Sequence, residues 1–556
     1  MTTESEFNGL DTFDNVVVLM LENRSFDNLL GHLYTQEETK KLGKNFDGLD
    51  GKNIEMPVPL RAVDRKEHAF VKPHKAKDWH QPYPDPGEVY QHVNTQLYNN
   101  IDPTNFFIEP CAMKSPYNVP VDAGTPPMTG FINDYINTLQ AIKCKSCKQS
   151  IWCWLFGKCK ECKECESYKN PAYAEYNRIM QVYTPEMVPV LTKLARDFAV
   201  FDHWYCAVPS QTWCNRAFWH AAASGGKVQN PTNACTALED LKAMGEWVED
   251  VWSQPNIFQR MKDSGIKHRV YTQELISLTS IVTGFFKGED AVVMDRELST
   301  FKRDLRDKKL PKYSFLEPKF LGQHNDMHPS SAKPGLLDGP TKVGTVLLGE
   351  HLVWDVYNSI FTNEHYKDNT LLIITFDEHG GCFDHVAPPP HHPITKENEV
   401  VPPHPNVKGQ KDFDFKRLGV RVPMIMVSSH IQPNTIMNER YDHSSFIKTV
   451  CTKWKMPHLT DRDLHANSFE GVFTPHKRDF PPIKEPKISS RDESEYDNHP
   501  LHELQQSLLA GAYFAALKYK KEVDPKVRVP SIKRVNTNKK ARKYLERIRP
   551  ILEKLI

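Results

Sequence analysis

The sequence lacks any apolar run long enough to cross a lipid bilayer. The first hydrophobic run, residues 16–21, is far shorter than a membrane-spanning helix requires. The N-terminus also has no basic segment followed by an apolar one, which is the pattern of a cleaved secretory signal. We therefore expect a cytoplasmic protein, or one exported without a cleaved N-terminal signal, that meets membranes at most as a peripheral protein.

The sequence also has no large excess of positive or negative charge. The 71 Lys and Arg residues balance 70 Asp and Glu residues, which leaves a formal net charge of +1. Such a balance gives no overall attraction to nucleic acid, so we expect no nucleic-acid partner, and the composition identifies no protein partner. With 39% hydrophobic residues, the chain has the composition of an ordinary globular enzyme.

Buried strands are predicted at three continuous apolar runs, residues 15–21 (NVVVLML), 370–376 (TLLIITF) and 422–428 (VPMIMVS). A helical pattern over residues 346–361 precedes the second run. Strands alternating with helices predict an α/β fold with a mixed or parallel sheet flanked by helices. Ligands bind such sheets beyond the carboxyl ends of the strands. Four polar residues fall at these ends: Glu22, Asn23, Asp377 and Glu378.

The length of 556 residues exceeds what one hydrophobic core usually organises. We predict a catalytic domain over residues 12–475, with long loop insertions at 39–135 and 388–414. A Cys-rich insertion is predicted at 140–168. Residues 476–556 are predicted to form a helical, basic C-terminal extension.

The predicted strand ends carry groups that suit a divalent cation. A carboxylate beside an amide, as in Glu22 and Asn23, offers two hard oxygen ligands, although composition alone favours a helix N-cap there. The adjacent acids Asp377 and Glu378 would repel each other if buried and unpaired, and a bound cation removes that cost. The diglycine that follows lets the backbone approach a ligand closely. A solvated acidic turn is the weaker alternative at this second motif.

A third polar motif, residues 208–216 (VPSQTWCNR), precedes a helical run. A hydroxyl at the start of a helix lies in a positive backbone field, where phosphate also binds. Thr212 is therefore a candidate nucleophile whose oxygen is activated by metal. The alternative is that Ser210 or Thr212 caps the helix, and the spacing alone does not decide between the two.

These motifs together resemble the phosphoesterase family that contains bacterial phospholipases C of the phosphatidylcholine type, plant non-specific phospholipases C and acid phosphatases. The resemblance runs from about residue 15 to residue 457. The strings ENRSFDNLLG and DEHGGCFDHVAPP are highly specific to this family, and residues 83–96 (YPDPGEVYQHVNTQ) are similar to its phospholipase-like branch. The family resembles alkaline phosphatase in fold, so an alkaline-phosphatase-like sheet is implied.

The resemblance implies a metal site that holds zinc or calcium. Its implied ligands are Glu22, Asn23, Thr212, Asp377 and Glu378. Thr212 is also the implied nucleophile, and Cys214 stands where the family's motif usually has proline.

Histidines and polar neighbours of Thr212 complete the implied site. The implied catalytic histidines are His92, His324 and His443. The implied substrate-binding residues are Asn215, Arg216, His379 and His385. His80, His328 and His379 are rival histidines, and for His80 and His328 we favour a surface or structural role.

The activity implied by the resemblance is that of a metal-dependent phospholipase C. Thr212 would attack phosphorus, and the enzyme would release diacylglycerol and a phosphorylated head group from a glycerophospholipid. A phospholipid or membrane surface would then be its partner as substrate. Two alternatives stay open: an acid phosphatase acting on soluble phosphomonoesters, and a non-catalytic protein that binds a membrane or another partner.

Six of the 12 cysteines fall between residues 144 and 165. Two C-x-x-C pairs come close to the spacing of a structural zinc site: Cys144, Cys147, Cys159 and Cys162. Disulfides are equally compatible with this spacing. The run 151–156 (IWCWLF) suits a membrane interface, although a zinc-stapled insertion packed on the body is slightly favoured. The scattered cysteines are predicted to be buried small hydrophobes.

The C-terminal tail is strongly basic. Residues 517–556 contain 14 Lys or Arg and four Asp or Glu, a net charge of +10. Apolar residues recur there at helical spacing: Ala541, Tyr544, Leu545, Ile548, Leu552 and Leu555. A basic amphipathic helix can lie on anionic lipid or dock on the enzyme body, and the sequence favours the two about equally.

Overall fold

The computed structural model describes residues 7–106, 110–141, 170–232, 237–284, 292–329, 345–488, 496–523, 526 and 528–553. The predicted Cys-rich insertion, with Cys144, Cys147, Cys159 and Cys162, lies outside these residues, as does Leu555. The predictions made for them therefore stay predictions.

An eight-stranded mixed sheet forms the centre of the described chain, in the order β13-β6-β12-β11-β1-β10-β8-β9. Its strands are β1 (Asn15–Leu21), β6 (Ala199–Phe201), β8 (His268–Thr272), β9 (Val292–Met294), β10 (Tyr313–Glu317), β11 (Thr370–Phe376), β12 (Met424–Val427) and β13 (Thr435–Met437). Three two-stranded pairs lie outside it, built from β2 (Met56–Pro57), β3 (Phe70–Val71), β4 (His74–Lys75), β5 (Gln181–Val182), β7 (Trp204–Tyr205) and β14 (Tyr441–Asp442). The predicted α/β class is confirmed.

The two strands that carry the predicted site are neighbours. Every residue of β1 and of β11 is buried, because both faces of the sheet are covered. They pair in parallel, and Leu21 lies opposite Phe376. This register places Glu22 beside Asp377 at the carboxyl edge of the sheet, as the apolar runs predict.

One strand of the sheet runs against the others. β12 is antiparallel to both of its neighbours, β11 and β6, whereas the remaining pairings are parallel. The strand predicted at 422–428 therefore exists, but its end at Ser428 lies at the edge of the sheet opposite the predicted site. The apolar run gave no information on direction, because a strand buried on both faces has the same pattern either way.

Helices cover the sheet. They are α1 (Phe26–Leu30), α2 (Gln36–Leu42), α3 (Tyr90–Tyr98), α4 (Phe131–Ala141), α5 (Tyr173–Tyr176), α6 (Pro189–Asp197), α7 (Thr212–Ala221), α8 (Ala237–Asp250), α9 (Ile257–Asp263), α10 (Leu278–Thr283), α11 (Ser299–Arg306), α12 (Thr345–Phe361), α13 (His443–Lys453), α14 (Asp461–His465), α15 (Glu503–Val523) and α16 (Asn538–Leu552). The helix predicted over 346–361 is α12. No helix in the described part of the chain is long and apolar enough to cross a membrane.

The segment predicted as a long irregular insertion, residues 39–135, is only partly irregular. It contributes α3 and the start of α4, which pack around an apolar cluster of their own that includes Val93, Leu97, Phe131 and Tyr135. This small core fixes α3, so residues along it can hold defined positions at the site. The second predicted loop, 388–414, contains only a short 3-10 helix, Gln410–Asp412, and is otherwise irregular.

The C-terminal extension packs into the body of the protein. Leu504 and Leu508 of α15 share one apolar cluster with Trp213 and Phe218 of α7. The five described residues of the amphipathic pattern in α16 are all buried: Ala541, Tyr544, Leu545, Ile548 and Leu552. The apolar face of α16 is therefore docked on the enzyme body. Of the two predicted alternatives for that face, docking is found and lipid contact is not.

Four scattered cysteines behave as predicted. Cys206, Cys214, Cys382 and Cys451 are buried free thiols. Cys111 differs, because it is disulfide-bonded.

Candidate active site

The carboxyl ends of β1 and β11 bring four predicted ligands together. The backbone N–H of Asn23 donates to Oδ1 of Asp377 at 3.1 Å, and the N–H of Asp377 donates to the Leu21 carbonyl at 3.2 Å. Glu22, Asn23, Asp377 and Glu378 are all fully buried. The two strand ends thus cross-link each other directly at the site.

The diglycine after Glu378 is required by close packing. A Cβ on Gly380 would lie 2.3 Å from the carbonyl oxygen of Asn23, and its φ of 62° belongs to the left-handed region. Asn23 itself has φ 55°, a conformation that asparagine tolerates better than most residues. Both turns therefore have residue types that their backbone demands.

Thr212 is the first residue of helix α7. Its Oγ1 lies 3.3 Å from Oε2 of Glu22 and 3.5 Å from Oδ1 of Asn23. The N-cap is Gln211, whose side chain makes no capping bond, so the alternative that Ser210 or Thr212 caps the helix is wrong. The hydroxyl is left facing the predicted ligands, at the positive end of the helix dipole.

Asn215 holds the turn that presents Thr212. Its Oδ1 accepts from the N–H of Val208 at 3.0 Å, and its Nδ2 donates to the carbonyl of Ser210 at 2.8 Å. The same Nδ2 lies 3.2 Å from the carbonyl of Gln211. The side chain is engaged with backbone groups of this turn, and its predicted role in binding substrate stays a prediction.

Arg216 pairs with Glu22 inside the protein. The guanidinium donates from Nε to Oε1 of Glu22 at 3.1 Å, and a second, shorter bond from its terminal nitrogen reaches the same oxygen. Burial raises the pKa of Glu22 well above its usual range, Arg216 opposes that rise, and the nearby Asp377 adds to it. Arg216 thus partly neutralises the ligand cluster.

Burial and mutual repulsion disfavour the charged forms of the acids at the site. Burial raises the pKa of Glu378 well above its usual range, and Asp377 raises it further. Oδ2 of Asp377 and Oε1 of Glu378 are buried without a hydrogen-bond partner among the described residues. Unpartnered carboxylate oxygens beside an amide oxygen are the donor set that a divalent cation accepts, so these residues fit a metal ion.

Two of the predicted catalytic histidines are paired with carboxylates near the surface of the site. Nδ1 of His92 lies 2.6 Å from Oδ1 of Asp134, and Nδ1 of His324 lies 2.6 Å from Oδ1 of Asp326. Burial alone would lower the pKa of His92, but Asp134 outweighs it and raises that pKa. Each histidine is 5% exposed and keeps its other ring nitrogen for a ligand.

His443 has a different environment. Its Nε2 lies 2.6 Å from the backbone carbonyl of Asp377, and its Nδ1 accepts from Nε1 of Trp204 at 3.2 Å. Both ring nitrogens are therefore engaged, and the imidazole buttresses the loop that carries the acids. Its predicted role in catalysis stays a prediction.

The two histidines predicted to bind substrate lie apart from each other. Nε2 of His379 lies 2.8 Å from Oε1 of Gln96, and burial lowers the pKa of His379 to about 3. His385 instead joins a second buried network, in which Nδ1 approaches Asp27 and Nε2 lies 3.1 Å from Asp47. Arg421 completes that network by pairing with Asp27 at 3.0 Å.

Glu88 and His502 were not singled out from the sequence, and His328 was expected to have a surface or structural role. Asn23 Nδ2 donates to Glu88 and lies 3.0 Å from Nε2 of His328, which is fully buried. Glu88 sits in the stretch 83–96, whose similarity to the phospholipase branch was the one available signal. His502 of the C-terminal extension stacks on His328 with ring centroids 3.9 Å apart, and no sequence pattern pointed to it.

Comparison with known proteins identifies a family for the chain. The family model described as "Phosphoesterase family" matches residues 13–457. Non-specific phospholipase C1 of Arabidopsis thaliana is 28% identical over 521 residues, which cover 89% of this chain and 78% of the relative. Phospholipase C B of Mycobacterium tuberculosis (strain ATCC 25618 / H37Rv) is 26% identical over 344 residues, covering 56% of this chain and 60% of the relative.

Solved structures give a more partial overlap. A protein in the alkaline phosphatase superfamily from Vibrio parahaemolyticus has a TM-score of 0.30 and 14% identity, covering 50% of this chain and 64% of its own. The sheet topology alone therefore defines the fold, and the likeness to alkaline phosphatase stays a prediction. The family model spans most of the chain, so the hypothesis of a non-catalytic binding protein is set aside. The chain belongs to the phosphoesterase family and is a hydrolase that acts on phosphoester bonds.

Proposed function

We propose that this protein is a metal-dependent phospholipase C that uses Thr212 as its nucleophile. The observation that carries the proposal is the position of the Thr212 hydroxyl, 3.3 Å from Glu22 at the start of α7. A hydroxyl in that position faces a cluster of buried acids and an amide rather than the backbone of its own helix. This position suits a nucleophile, and the hydroxyl does not cap the helix.

The ion would be held by Glu22, Asn23, Thr212, Asp377 and Glu378. It would be zinc or calcium, and when bound it would act as a Lewis acid on the phosphoryl group and the attacking oxygen. The unpartnered oxygens of Asp377 and Glu378 support this ligand set. The remaining chemistry belongs to the chain's own side chains.

In the first step, Oγ1 of Thr212 forms a bond to phosphorus and the bond from phosphorus to the alcohol oxygen breaks. The threonine proton passes to the nearest acceptor, Oε2 of Glu22. His92, whose Nδ1 is paired with Asp134, donates a proton to the departing alcohol, and Asp134 favours the protonated imidazole by raising its pKa. In the second step, water gives a proton to His92 and its oxygen bonds to phosphorus while the bond from phosphorus to Oγ1 breaks. Glu22 returns its proton to Oγ1 of Thr212, and the phosphorylated head group leaves.

A phospholipid substrate is supported by the names of the relatives. Plant and mycobacterial relatives are described as phospholipases C, and one of them aligns over 89% of this chain. The site residues also include the stretch 83–96, which supplies Glu88 and His92 from the insertion. Acid phosphatase activity on soluble monoesters is the alternative, because a monoester needs the same nucleophile and ion.

The test measures hydrolysis of phosphatidylcholine vesicles and of a soluble phosphomonoester, with and without a chelator, for the wild type and for Thr212→Ala. The proposal expects diacylglycerol release that requires both metal and Thr212. Release of phosphate from the monoester alone would make the protein a phosphatase. Full activity of Thr212→Ala on either substrate would remove the proposed nucleophile.

A further inference from the structure

The charge of the chain is divided unevenly between its body and its C-terminal extension. Residues 526–553 contain ten Lys or Arg and two Asp or Glu, which gives a net charge of +8. The rest of the chain contains 61 Lys or Arg and 68 Asp or Glu, which gives a net charge of −7. The nearly neutral protein therefore combines an acidic body with a strongly basic segment that includes α16.

The cations of α16 lie on the side of the helix that does not pack on the body. The apolar residues of the helix are buried, so the opposite side faces solvent. That side carries five exposed cations, which we call the basic face: Lys539, Lys540, Lys543, Arg547 and Arg549. Core packing therefore explains the apolar half of α16 and gives no reason for the basic half.

Few acids neutralise the basic face. Lys539 and Arg549 each have one carboxylate partner, at 3.3 Å and 2.5 Å. Lys540, Lys543 and Arg547 make no ion pair within the described ranges. Because these like charges repel one another on one side of a helix, an external surface of negative charge would be attracted to them.

The basic face begins beside the proposed active site. Oδ1 of Asn538, the first residue of α16, accepts a hydrogen bond from the N–H of Gly322 at 2.9 Å. The carbonyl of Gly322 in turn accepts from the N–H of His324 at 2.9 Å, and His324 is one of the implied catalytic histidines. The start of α16 is therefore fixed to the loop that carries a residue of the site.

A cleft between α16 and the body lies at the same edge of the sheet as the site. One wall is formed by residues that follow the carboxyl ends of β8, β9 and β10, among them Gln273, Arg296 and Lys319. Lys539 and Lys543 belong to the other wall. These three strands run parallel to β1, so an anionic surface that meets α16 would lie on the side of the molecule that carries the site.

We propose that the basic face of α16 binds the surface of a membrane that contains anionic phospholipid. The lipid phosphates supply negative charge, and each Lys or Arg near such a surface strengthens binding about fivefold. Because the apolar face of α16 is packed on the body, the contact is electrostatic and needs no insertion of the helix among the acyl chains. The proposal deepens the proposed function, on which it rests, by naming the lipid surface that brings the site to its substrate.

The test measures co-sedimentation of the full chain with vesicles of phosphatidylcholine, made with and without phosphatidylglycerol. The chain carries Thr212→Ala so that the lipids stay intact. We expect binding to the vesicles that contain phosphatidylglycerol, and loss of that binding at high salt, where the Debye length falls to about 3 Å. Combining Lys540→Glu, Lys543→Glu and Arg547→Glu should weaken this binding by at least about 100-fold.

A second triple variant is the matched control. It combines Lys262→Glu, Lys267→Glu and Lys309→Glu, at exposed lysines that precede β8 or β10 and so lie toward the opposite edge of the sheet. The control changes the net charge by the same amount as the α16 variant. It should sediment as the parent protein does, and an equal loss in both variants would show that net charge, not the basic face, determines binding.

The other outcomes are equally decisive. Absence of binding to either kind of vesicle overturns the proposal, as does equal binding to both, and these comparisons need no substitution in α16. Parental binding by a folded α16 variant, checked by circular dichroism, also overturns it. Binding of an RNA oligonucleotide without binding of vesicles would assign the basic face to nucleic acid instead. Since sedimentation needs no turnover, failure of the proposed phospholipase activity would appear in the hydrolysis assay and leave this result unchanged.

Discussion

Oε1 of Glu503 accepts a 2.7 Å hydrogen bond from Nε2 of Gln211, the residue directly before Thr212. On the other side of Thr212, Nε1 of Trp213 donates to Oγ of Ser507 at 3.2 Å. Both acceptors belong to α15, so the extension holds the turn that presents the proposed nucleophile from two sides. The helix of the extension is therefore part of the support of the active site.

Removing the acceptor at Glu503 tests this support. We expect Glu503→Ala to lower the free energy of unfolding by about 1–3 kcal/mol, because the buried Gln211 amide loses an acceptor. Glu503→Gln keeps an acceptor oxygen of the same reach and should lose much less. Urea denaturation of the two variants measures the difference, and equal stabilities would show that this bond contributes nothing.

Asn215 anchors the turn that precedes Thr212. Asn215→Ala removes bonds to Val208, Ser210 and Gln211, so we expect a loss of about 2–4 kcal/mol of stability and a fall in kcat. The exposed Asn53, whose Oδ1 accepts a hydrogen bond from Lys72, provides the control Asn53→Ala. Denaturation curves and kcat are measured for both, and a kcat unchanged in Asn215→Ala would separate the turn from catalysis.

Close packing at Gly380 gives a third prediction. In Gly380→Ala the new methyl group meets the Asn23 carbonyl, so the strand ends must move apart and activity should fall by about 100-fold. The left-handed φ adds about 1–2 kcal/mol of strain. Gly245→Ala is the matched control, since a Cβ there meets nothing within 4 Å and the residue lies inside α8. Initial rates and melting temperatures distinguish the two, and wild-type rates for Gly380→Ala would refute the packing argument.

The ion network at His385 makes stability depend on pH. Burial alone would lower the pKa of His385, but Asp27 and Asp47 outweigh it and raise that pKa to about 9. Its stabilising contribution is thus complete below pH 6.5, the unfolded pKa, and is lost as pH rises through about 9. We expect the wild type to exceed His385→Gln by about 2–3 kcal/mol at pH 6 and by much less at pH 9.5.

Denaturation at several pH values measures this difference. His365→Gln, at an exposed histidine, is the control and should track the wild type at every pH. A gap between wild type and His385→Gln that does not narrow with rising pH would contradict the assigned charge.

The part of the site that lies on neighbouring strands could be predicted from the sequence. Two apolar runs end in acids, and parallel strands bring their carboxyl ends to one edge, so Glu22 and Asp377 were expected at the same edge of the sheet. The pairing of β1 with β11, which the structure adds, puts them side by side. The direction of β12 could not be predicted, because burial on both faces leaves no directional pattern. The partnership of Thr212 with Glu22 rested on the family resemblance, since helix-start hydroxyls are common.

Glu88 and His502 show more clearly what could not be predicted from the sequence. Each lies just before a helix, Glu88 before α3 and His502 before α15, and each reaches the site through packing between distant parts of the chain. His502 lies against His328 only because α15 shares an apolar cluster with α7. Sequence spacing carries information about neighbours along a helix or strand and none about which surfaces will meet.

The shared core of α7 and α15 also determines how the protein can be divided. A fragment that stops near residue 475 would leave Trp213 and Phe218 facing water in place of Leu504 and Leu508. Such a fragment should be recovered as aggregates rather than as a smaller working enzyme. Exchange of extensions between relatives would need matching changes on α7, so the two segments are constrained to evolve as a pair.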